Sequence, residues 1–246
     1  MSATTPFLKG LRRLGTLLCM AGFAAQAQPI DRPDPASMTA RVQACVACHG
    51  AQGRATREGY FPRIAGKPAL YQYHQLLHFR DGRRRYGAMS HLLQHLTDDY
   101  LREIAGHFAA LDLPYPPTPA ITLTPTQRAR GEQLVRVGDA GRGIPACASC
   151  HGQALLGIAP ALPGLLGLPR DYLNAQLGAW RVGTRRAFEP DCMARIAKAL
   201  DEQDISAVSG WLANQPLPAP ALPEPALTRP LPIDCGGVPA PQEARR

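Results

Sequence analysis

The sequence predicts an all-α protein in which one helical domain is duplicated and followed by a proline-rich tail. Two observations predict this fold class. A pattern repeats at an offset of 101 or 102 residues, and apolar residues recur at helical spacing. No stretch alternates apolar and polar residues over the length of a strand, so the pattern does not favour a sheet.

The repeat begins with a five-residue motif. Residues 45–49 (CVACH) and 147–151 (CASCH) share the pattern Cys-x-x-Cys-His, and a glycine follows each of them. The register continues through matched pairs, which are Tyr71 and Tyr172, Gln75 and Gln176, Phe79 and Trp180, Arg80 and Arg181, and Gly82 and Gly183. After a three-residue insertion in the second copy, Met89 pairs with Met193. Ordered matches over roughly 65 residues indicate a duplicated domain.

Helical spacing and capping residues position the main helices. A middle helix is predicted at residues 71–79 and again at 172–180, and each ends near a glycine. The last helix of each copy is predicted to begin after Thr97 and at Asp201, because both residue types satisfy free backbone N–H groups at a helix start. Thr124, which a proline follows, marks the start of the second copy's first helix.

These elements divide the chain into five segments. Residues 38–113 and 125–215 are the two predicted domains, and residues 114–124 form a proline-rich linker between them. Residues 1–27 are a predicted signal peptide, since basic residues precede an apolar stretch too short to span a bilayer and a small-x-small triplet ends it. Residues 216–246 contain nine prolines, which exclude a helix. We expect this tail to lie extended along the surface or to be partly disordered.

Charge and hydropathy limit the class of partner. Cleavage after Ala27 removes three basic residues and lowers the formal net charge from +8 to +5. The alternative is that the segment is not cleaved and serves as an N-terminal anchor. The remaining arginines are scattered, which suits docking to an acidic redox protein and does not indicate nucleic-acid binding. No second long apolar segment follows. We therefore expect a soluble mature protein in the periplasm, associated with a membrane only through a partner.

The Cys-x-x-Cys-His motif is the attachment site of c-type haem. Two thiols at this spacing reach the vinyl groups on one porphyrin edge, and the adjacent histidine supplies an imidazole to the iron. The attachment cysteines are Cys45, Cys48, Cys147 and Cys150. The sequence thus predicts two covalently bound haem c groups, with His49 and His151 as iron ligands. A zinc knuckle is the alternative, but zinc needs four ligands and neither copy offers a second pair; a thioredoxin-like dithiol lacks its strand–helix context.

Met89 and Met193 are the predicted sixth ligands of the two irons. A thioether is a soft ligand that favours ferrous iron, so His/Met ligation raises the reduction potential and leaves no open position for a substrate. The alternative is that either methionine fills the core. His91 and His95 are rival ligands near Met89, but nothing in the second copy corresponds to them. A surface or haem-edge position is expected for these two histidines and for His74, His78 and His107.

Two further cysteines remain after removal of the signal peptide, Cys192 and Cys235. In an oxidising compartment a leftover pair usually forms a disulfide, and this one would join the tail to the loop that carries Met193. The alternative is that Cys192 ligates the second iron in place of Met193.

Together these features resemble the dihaem class I cytochromes c of bacteria, especially the cytochrome c4 group of periplasmic electron carriers. The resemblance covers roughly residues 38–215. Besides the haem motifs, the matching residues are Pro62-x-Ile64-x-Gly66, Pro163-x-Leu165-x-Gly167, Met89-Ser90, Gly131-Glu132-Gln133-Leu134, Gly143-Ile144-Pro145-Ala146 and Met193. The chain departs from the group in Cys192 beside Met193, in the tail with Cys235, and in the histidine-rich stretch after Met89.

The resemblance implies two cytochrome c folds whose haem edges lie close together and pass single electrons. It implies that Pro62 and Pro163 back the histidine ligands, and that Gly131 lets the first helix approach the last one near Trp211. The implied function is a carrier between a respiratory donor, either a quinol-oxidising complex or a dehydrogenase, and a terminal oxidase or reductase. The alternatives are a cytochrome subunit of a periplasmic dehydrogenase complex, or a catalytic dihaem enzyme acting on a small sulfur compound or peroxide.

Overall fold

The computed structural model describes residues 34, 36–56, 59–117 and 119–241. The predicted signal peptide and its cleavage site lie outside the described residues. The segment Asp34–Arg246 forms one compact unit that contains both copies of the repeat. Within the described ranges, no helix has the length and apolar character needed to cross a membrane.

Ten α-helices account for most of the regular structure in the described residues. Helices α1 to α5 are Met38–Arg41, Gln43–His49, Ala69–Arg80, Gly87–Leu93 and Asp98–Ala109. Helices α6 to α10 are Pro125–Arg136, Ala148–His151, Arg170–Arg181, Cys192–Ala199 and Glu202–Ala213. Short 3₁₀ turns lie at Ala51–Gly53 and Ala140–Arg142. The mostly helical fold expected from the sequence is confirmed.

Two small antiparallel ladders were not predicted, because strands of two residues leave no period-two pattern. Strands β1 and β2, Gly138–Asp139 and Ile144–Pro145, precede the second haem motif. Strands β3 and β4, Gly157–Ile158 and Leu162–Pro163, follow it. Gly157 has φ of 94°, and a Cβ there would lie 2.6 Å from the Gly164 nitrogen, so this tight loop requires glycine.

In the first half, α3 packs against α5. Tyr73 and Leu77 of α3 and Leu101 of α5 are buried in one apolar cluster. Thr97 caps α5 as predicted, because its hydroxyl accepts a hydrogen bond from the backbone N–H of Tyr100 at 3.3 Å. The predicted middle helix extends slightly beyond its expected bounds at both ends.

In the second half, α6 crosses α10 at close range. A Cβ on Gly131 would lie 2.7 Å from the Trp211 Cβ, so only glycine allows this approach. Thr124 starts α6 with a capping box, in which its hydroxyl accepts from the Gln127 N–H and the Gln127 side chain accepts from the Thr124 N–H. The expected contact between the first and last helices near Trp211 is therefore present.

The two halves meet where α3 and α8 end. Arg84 and Arg185 face each other in an antiparallel backbone bridge, and the Arg186 N–H donates to the Arg83 carbonyl at 2.7 Å. This bridge brings the turns that follow α3 and α8 into direct contact.

The described part of the tail contains no helix and is interrupted by several bends and one turn. Its Glu224 pairs with the β3–β4 loop, where the Glu224 N–H donates to the Gly157 carbonyl at 2.9 Å and the Ala159 N–H donates back at 2.7 Å. Farther along, Cys235 is bonded to Cys192 at the start of α9. The tail is thus fixed to the second half at two separate points.

Candidate haem site

A cavity of about 2000 Å³ reaches into both halves of the molecule. Its wall contains the two motifs and both candidate methionines, namely Cys45, Cys48, His49, Met89, Cys147, Cys150, His151 and Met193. The sequence-predicted ligands and attachment residues therefore line one common space.

The two motif histidines are held in the same way. Each is the last residue of its helix and is buried, with 8 % of His49 and 7 % of His151 exposed. The Nδ1 of His49 lies 2.8 Å from the Pro62 carbonyl oxygen, and the Nδ1 of His151 lies 2.8 Å from the Pro163 carbonyl oxygen. The expectation that these prolines back the histidines matches these contacts.

These contacts determine the tautomer. A carbonyl oxygen only accepts, so Nδ1 of His49 and of His151 must carry the proton and donate it. Burial lowers the pKa of both imidazoles, which keeps them neutral. Each Nε2 then retains its lone pair, as a ligand to haem iron requires.

None of the four motif cysteines takes part in a disulfide. Cys48 is exposed and the other three are half-buried; burial raises the pKa of Cys147 to about 12. Among the described residues, no three His, Cys, Asp or Glu side chains are grouped to hold a metal ion.

Met89 lies in α4 and Met193 in α9, and both are half-buried on the cavity wall. The rival ligands His91 and His95 are exposed. His91 borders the cavity, whereas His95 is not among its lining residues.

His78 is buried beside the cavity. It is only 3 % exposed, so of its two expected positions, the surface or the haem edge, only the edge agrees with its burial. It lines the cavity next to His74, and its Nε2 is buried without a hydrogen-bond partner among the described residues. Burial, together with His74 and nearby arginines, lowers the pKa of His78 to about 4. The reason is the packing of Phe188, from the second half, against its ring at 4.7 Å.

A polar cluster between the halves was missed by the sequence analysis. The Arg84 guanidinium donates to Gln75 at 3.1 Å and to Gln176 at 2.7 Å, and Arg185 donates to the same two amide oxygens at 3.0 and 2.7 Å. Arg84 also donates to the Tyr172 hydroxyl at 3.1 Å. The signal was available, because Arg84 and Arg185 continue the offset of 101 that pairs the two glutamines.

This cluster concentrates positive charge on the cavity wall. Arg185 and Lys67 are buried and Arg84 is half-buried, and none of the three forms an ion pair with a described residue. Burial lowers the pKa of Lys67 to about 8 and that of Arg185 to about 10. Buried cations require counter-charges. Haem propionates are carboxylates and carry the required negative charge. Haem c therefore fits this cavity, whose wall offers thiols for attachment, imidazoles for the iron and cations for the propionates.

Cys192 and Cys235 lie together as a disulfide pair, with Cα atoms 5.0 Å apart. Since Cys192 precedes Met193, this bond places the tail directly beside the second candidate methionine.

Comparison with known proteins gives close relatives. The chain is 36% identical over 198 residues to a thiosulfate dehydrogenase electron acceptor of Stutzerimonas stutzeri, covering 80% of this chain and 90% of that protein. It is 35% identical over 182 residues to cytochrome c4 of Pseudomonas aeruginosa, covering 73% of this chain and 87% of that protein. A search against models of protein families finds no match.

Two solved structures are similar. Reduced cytochrome c4 from Pseudomonas stutzeri matches with a TM-score of 0.60 at 30% identity, over 70% of this chain and 93% of that chain. Thiosulfate dehydrogenase from Marichromatium purpuratum matches with a TM-score of 0.63 at 32% identity, over 70% of this chain. This chain spans only 36% of that longer one.

The fold, the two motifs and these relatives agree on cofactor and activity. The chain binds two covalent haem c groups and acts as an electron carrier rather than as an enzyme. It belongs to the family of dihaem electron carriers that includes cytochrome c4.

Proposed function

We propose that this carrier works in the periplasm, takes single electrons from a dehydrogenase that oxidises thiosulfate, and delivers them to a terminal oxidase or reductase. Its irons are ligated by His49 with Met89 and by His151 with Met193. In this proposal residues 38–113 and 125–215 are two duplicated domains joined by residues 114–124.

The observation that carries the proposal is that each half contributes one buried motif histidine and one methionine to the wall of the common cavity. Bound haem supplies an iron that changes oxidation state by one electron. Ligation of each iron by one histidine and one methionine would leave no position for a substrate, which suits electron transfer.

The residues between the halves support transfer within the chain. Arg84 and Arg185 share Gln75 and Gln176 as acceptors, so the cationic cluster is rigid and common to both halves. Carboxylates held there by both arginines would bring the two cofactors close together. Lys67 is a further cation on the cavity wall; it is buried, and it donates to the Gly164 carbonyl at 3.2 Å.

Two relatives support the choice of donor. One is named a thiosulfate dehydrogenase electron acceptor, and another is a solved thiosulfate dehydrogenase of which this chain resembles about a third. The second similarity also favours the alternative role as the cytochrome subunit of such a dehydrogenase complex. Co-purification of a catalytic chain in stoichiometric amount identifies that alternative.

Ligation is tested by the weak charge-transfer band of methionine-ligated ferric haem. We expect Met89→Ala and Met193→Ala each to remove about half of its intensity and the double variant to remove all of it. Met38→Ala is the matched control, since Met38 packs on the core of the first half and does not line the cavity. Full intensity in either single variant would contradict the assignment.

The donor is tested with purified components. Thiosulfate plus a thiosulfate dehydrogenase should reduce both haems of the oxidised protein, and omission of either should leave it oxidised. Reduction by ascorbate but not by this pair would exclude the proposed donor and leave the carrier function intact. Intact mass of the exported protein tests cleavage after Ala27, and periplasmic extraction tests the compartment.

A further inference from the structure

The tail crosses from one side of the second haem site to the other. Glu224 pairs with the loop that follows His151, and its carboxylate accepts from the Gln153 N–H at 2.8 Å. Cys235 is bonded to Cys192, next to Met193. The chain between these two anchors therefore runs from the histidine side to the methionine side.

Between its anchors, the tail forms part of the cavity wall. Leu231, Ile233 and Cys235 are half-buried and line the cavity, while the intervening Pro232 and Asp234 are exposed. The inward and outward residues alternate along a segment that bends at Pro232 and Ile233. Residues 231–235 therefore form a packed cover over this part of the cavity.

Beyond the disulfide, the cover also reaches the first half. The Gly236 N–H donates to the Pro190 carbonyl at 2.8 Å. Gly237 lies against Phe188 and against the His74 ring, since a Cβ there would be 3.0 and 3.1 Å from them. Gly237 has φ of 73°, a backbone conformation that disfavours residues with a Cβ.

The corresponding edge of the first site is open among the described residues. Ala88 occupies the position that Cys192 holds in the second copy, and it is exposed. Leu92 is 37% exposed and Tyr60 is 62% exposed, and both border the cavity. Cys48 is exposed, whereas its counterpart Cys150 is half-buried.

The two edges also differ in charge. In the first copy, the described residues within 41–60 and 85–95 carry three arginines and no acidic residue, and one of the three, Arg41, is paired with Glu103. In the second, residues 143–162 and 186–199 with the tail segment 224–238 carry four basic and four acidic residues. The open edge is thus positive as well as apolar, which complements an acidic surface.

We propose that the disulfide-anchored tail closes the second haem edge to other proteins, and that acidic redox proteins dock on the first edge. This rests on the proposed function, because it assigns the docking face of that carrier. Electrons reach the second haem only through the first.

The test measures oxidation of the reduced holoprotein by plastocyanin, a small acidic electron-transfer protein. Arg85 is exposed on the wall of the first edge, and Arg195 is exposed on α9 two residues after Met193. We expect Arg85→Glu to lower the second-order rate constant roughly tenfold at low salt, and Arg195→Glu to change it less than twofold. Equal slowing by both variants would overturn the proposal.

Removing the anchor should open the second edge. In the double variant Cys192→Ser/Cys235→Ser, we expect Arg195→Glu to slow plastocyanin oxidation as well. An independent readout is broadening of haem methyl resonances by a soluble anionic gadolinium chelate. In the intact chain only the first haem's signals should broaden, and in the double variant those of both haems.

If the methyl resonances of both haems broaden in the intact protein, the second haem edge is open, and the proposal is refuted without any variant. A normal methionine–iron band and reduction by ascorbate in the same samples show that the carrier itself is intact. Failure of the docking proposal is thereby distinguished from failure of the proposed function.

Discussion

The two halves keep the same backbone around the motif histidine but surround it with different side chains. The Ile64 N–H donates to the Gly53 carbonyl at 2.9 Å, and the Leu165 N–H donates to the Leu155 carbonyl at 2.8 Å. Leu155 belongs to a single cluster of fifteen buried apolar residues, whereas the first half has separate clusters of six and three. The hydrogen-bonded loop that holds the histidine therefore does not depend on the core behind it.

The cavity walls differ in polarity as well. His74 and His78 of α3 lie at the positions that Ala175 and Ala179 hold in α8. The first half thus carries titratable groups where the second carries methyl groups. Because its apolar clusters are smaller and its edge is open, we expect the first half to have the lower local stability and the second half to be the more rigid one.

The largest expected effect concerns the rigid half. Gly131→Ala puts a Cβ within 2.7 Å of the Trp211 Cβ, so α6 and α10 must separate, and we expect a loss of about 3 kcal/mol in the free energy of unfolding. The matched control is Gly106→Ala in α5, where a Cβ meets nothing within 4 Å. It should stabilise the protein by roughly 0.5–1 kcal/mol. Guanidinium unfolding of both variants measures the difference, and similar losses would show that helix contact is not the cause.

The next effect is the pH dependence that comes from His78, a residue with no histidine counterpart in the second half. The folded-state pKa of His78 is lowered to about 4, below its ordinary value of 6.5. The unfolded chain therefore binds the proton first as pH falls, so this contribution is complete above pH 6.5 and is lost on the way down to pH 4. Between pH 7 and pH 5 we expect a loss of about 2 kcal/mol.

The substitution His78→Ala, which installs the second half's residue, should remove that part of the pH dependence. The measurement is the free energy of unfolding of both proteins at pH 7 and pH 5. The exposed histidine in His95→Ala serves as the control and should leave the slope unchanged. An unaltered slope in His78→Ala would assign the effect to other groups.

A smaller effect separates the two arginines of the shared cluster. A nearby guanidinium disfavours ferric iron. Arg185→Gln should therefore lower the reduction potential of the haem beside it by about 60 mV, which is a tenfold change in the equilibrium constant of the one-electron reduction. Arg84→Gln should lower it less, since Arg84 is half-buried and Arg185 is buried. Spectroelectrochemical titration measures both. Arg185→Lys keeps the positive charge and should shift the potential least of the three variants. If it shifts the potential as much as Arg185→Gln does, geometry and not charge sets the potential.

The sequence predicts well those features that local chemistry determines. Thr97, Thr124 and Asp201 mark helix starts because a cap acts within a few residues, and the haem motif is contiguous. The sequence predicts poorly the features that form only where the two halves pack against each other. The burial of His78 follows from Phe188, which is distant in the chain, and the Arg84–Arg185 cluster exists only once both copies are in place.

The smallest expected effect compares the caps of the two last helices. Asp201 begins α10 with a capping box, since its carboxylate accepts from the Asp204 N–H at 2.8 Å and the Asp204 side chain accepts in return. Thr97 caps α5 through one bond of 3.3 Å. We expect Asp201→Ala to cost about 1.5 kcal/mol and Thr97→Ala about 0.5 kcal/mol in the free energy of unfolding. Because α10 packs on α6 and α8 while α5 packs mainly on α3, a larger loss for Thr97→Ala would reverse the assignment of the second half as the rigid one.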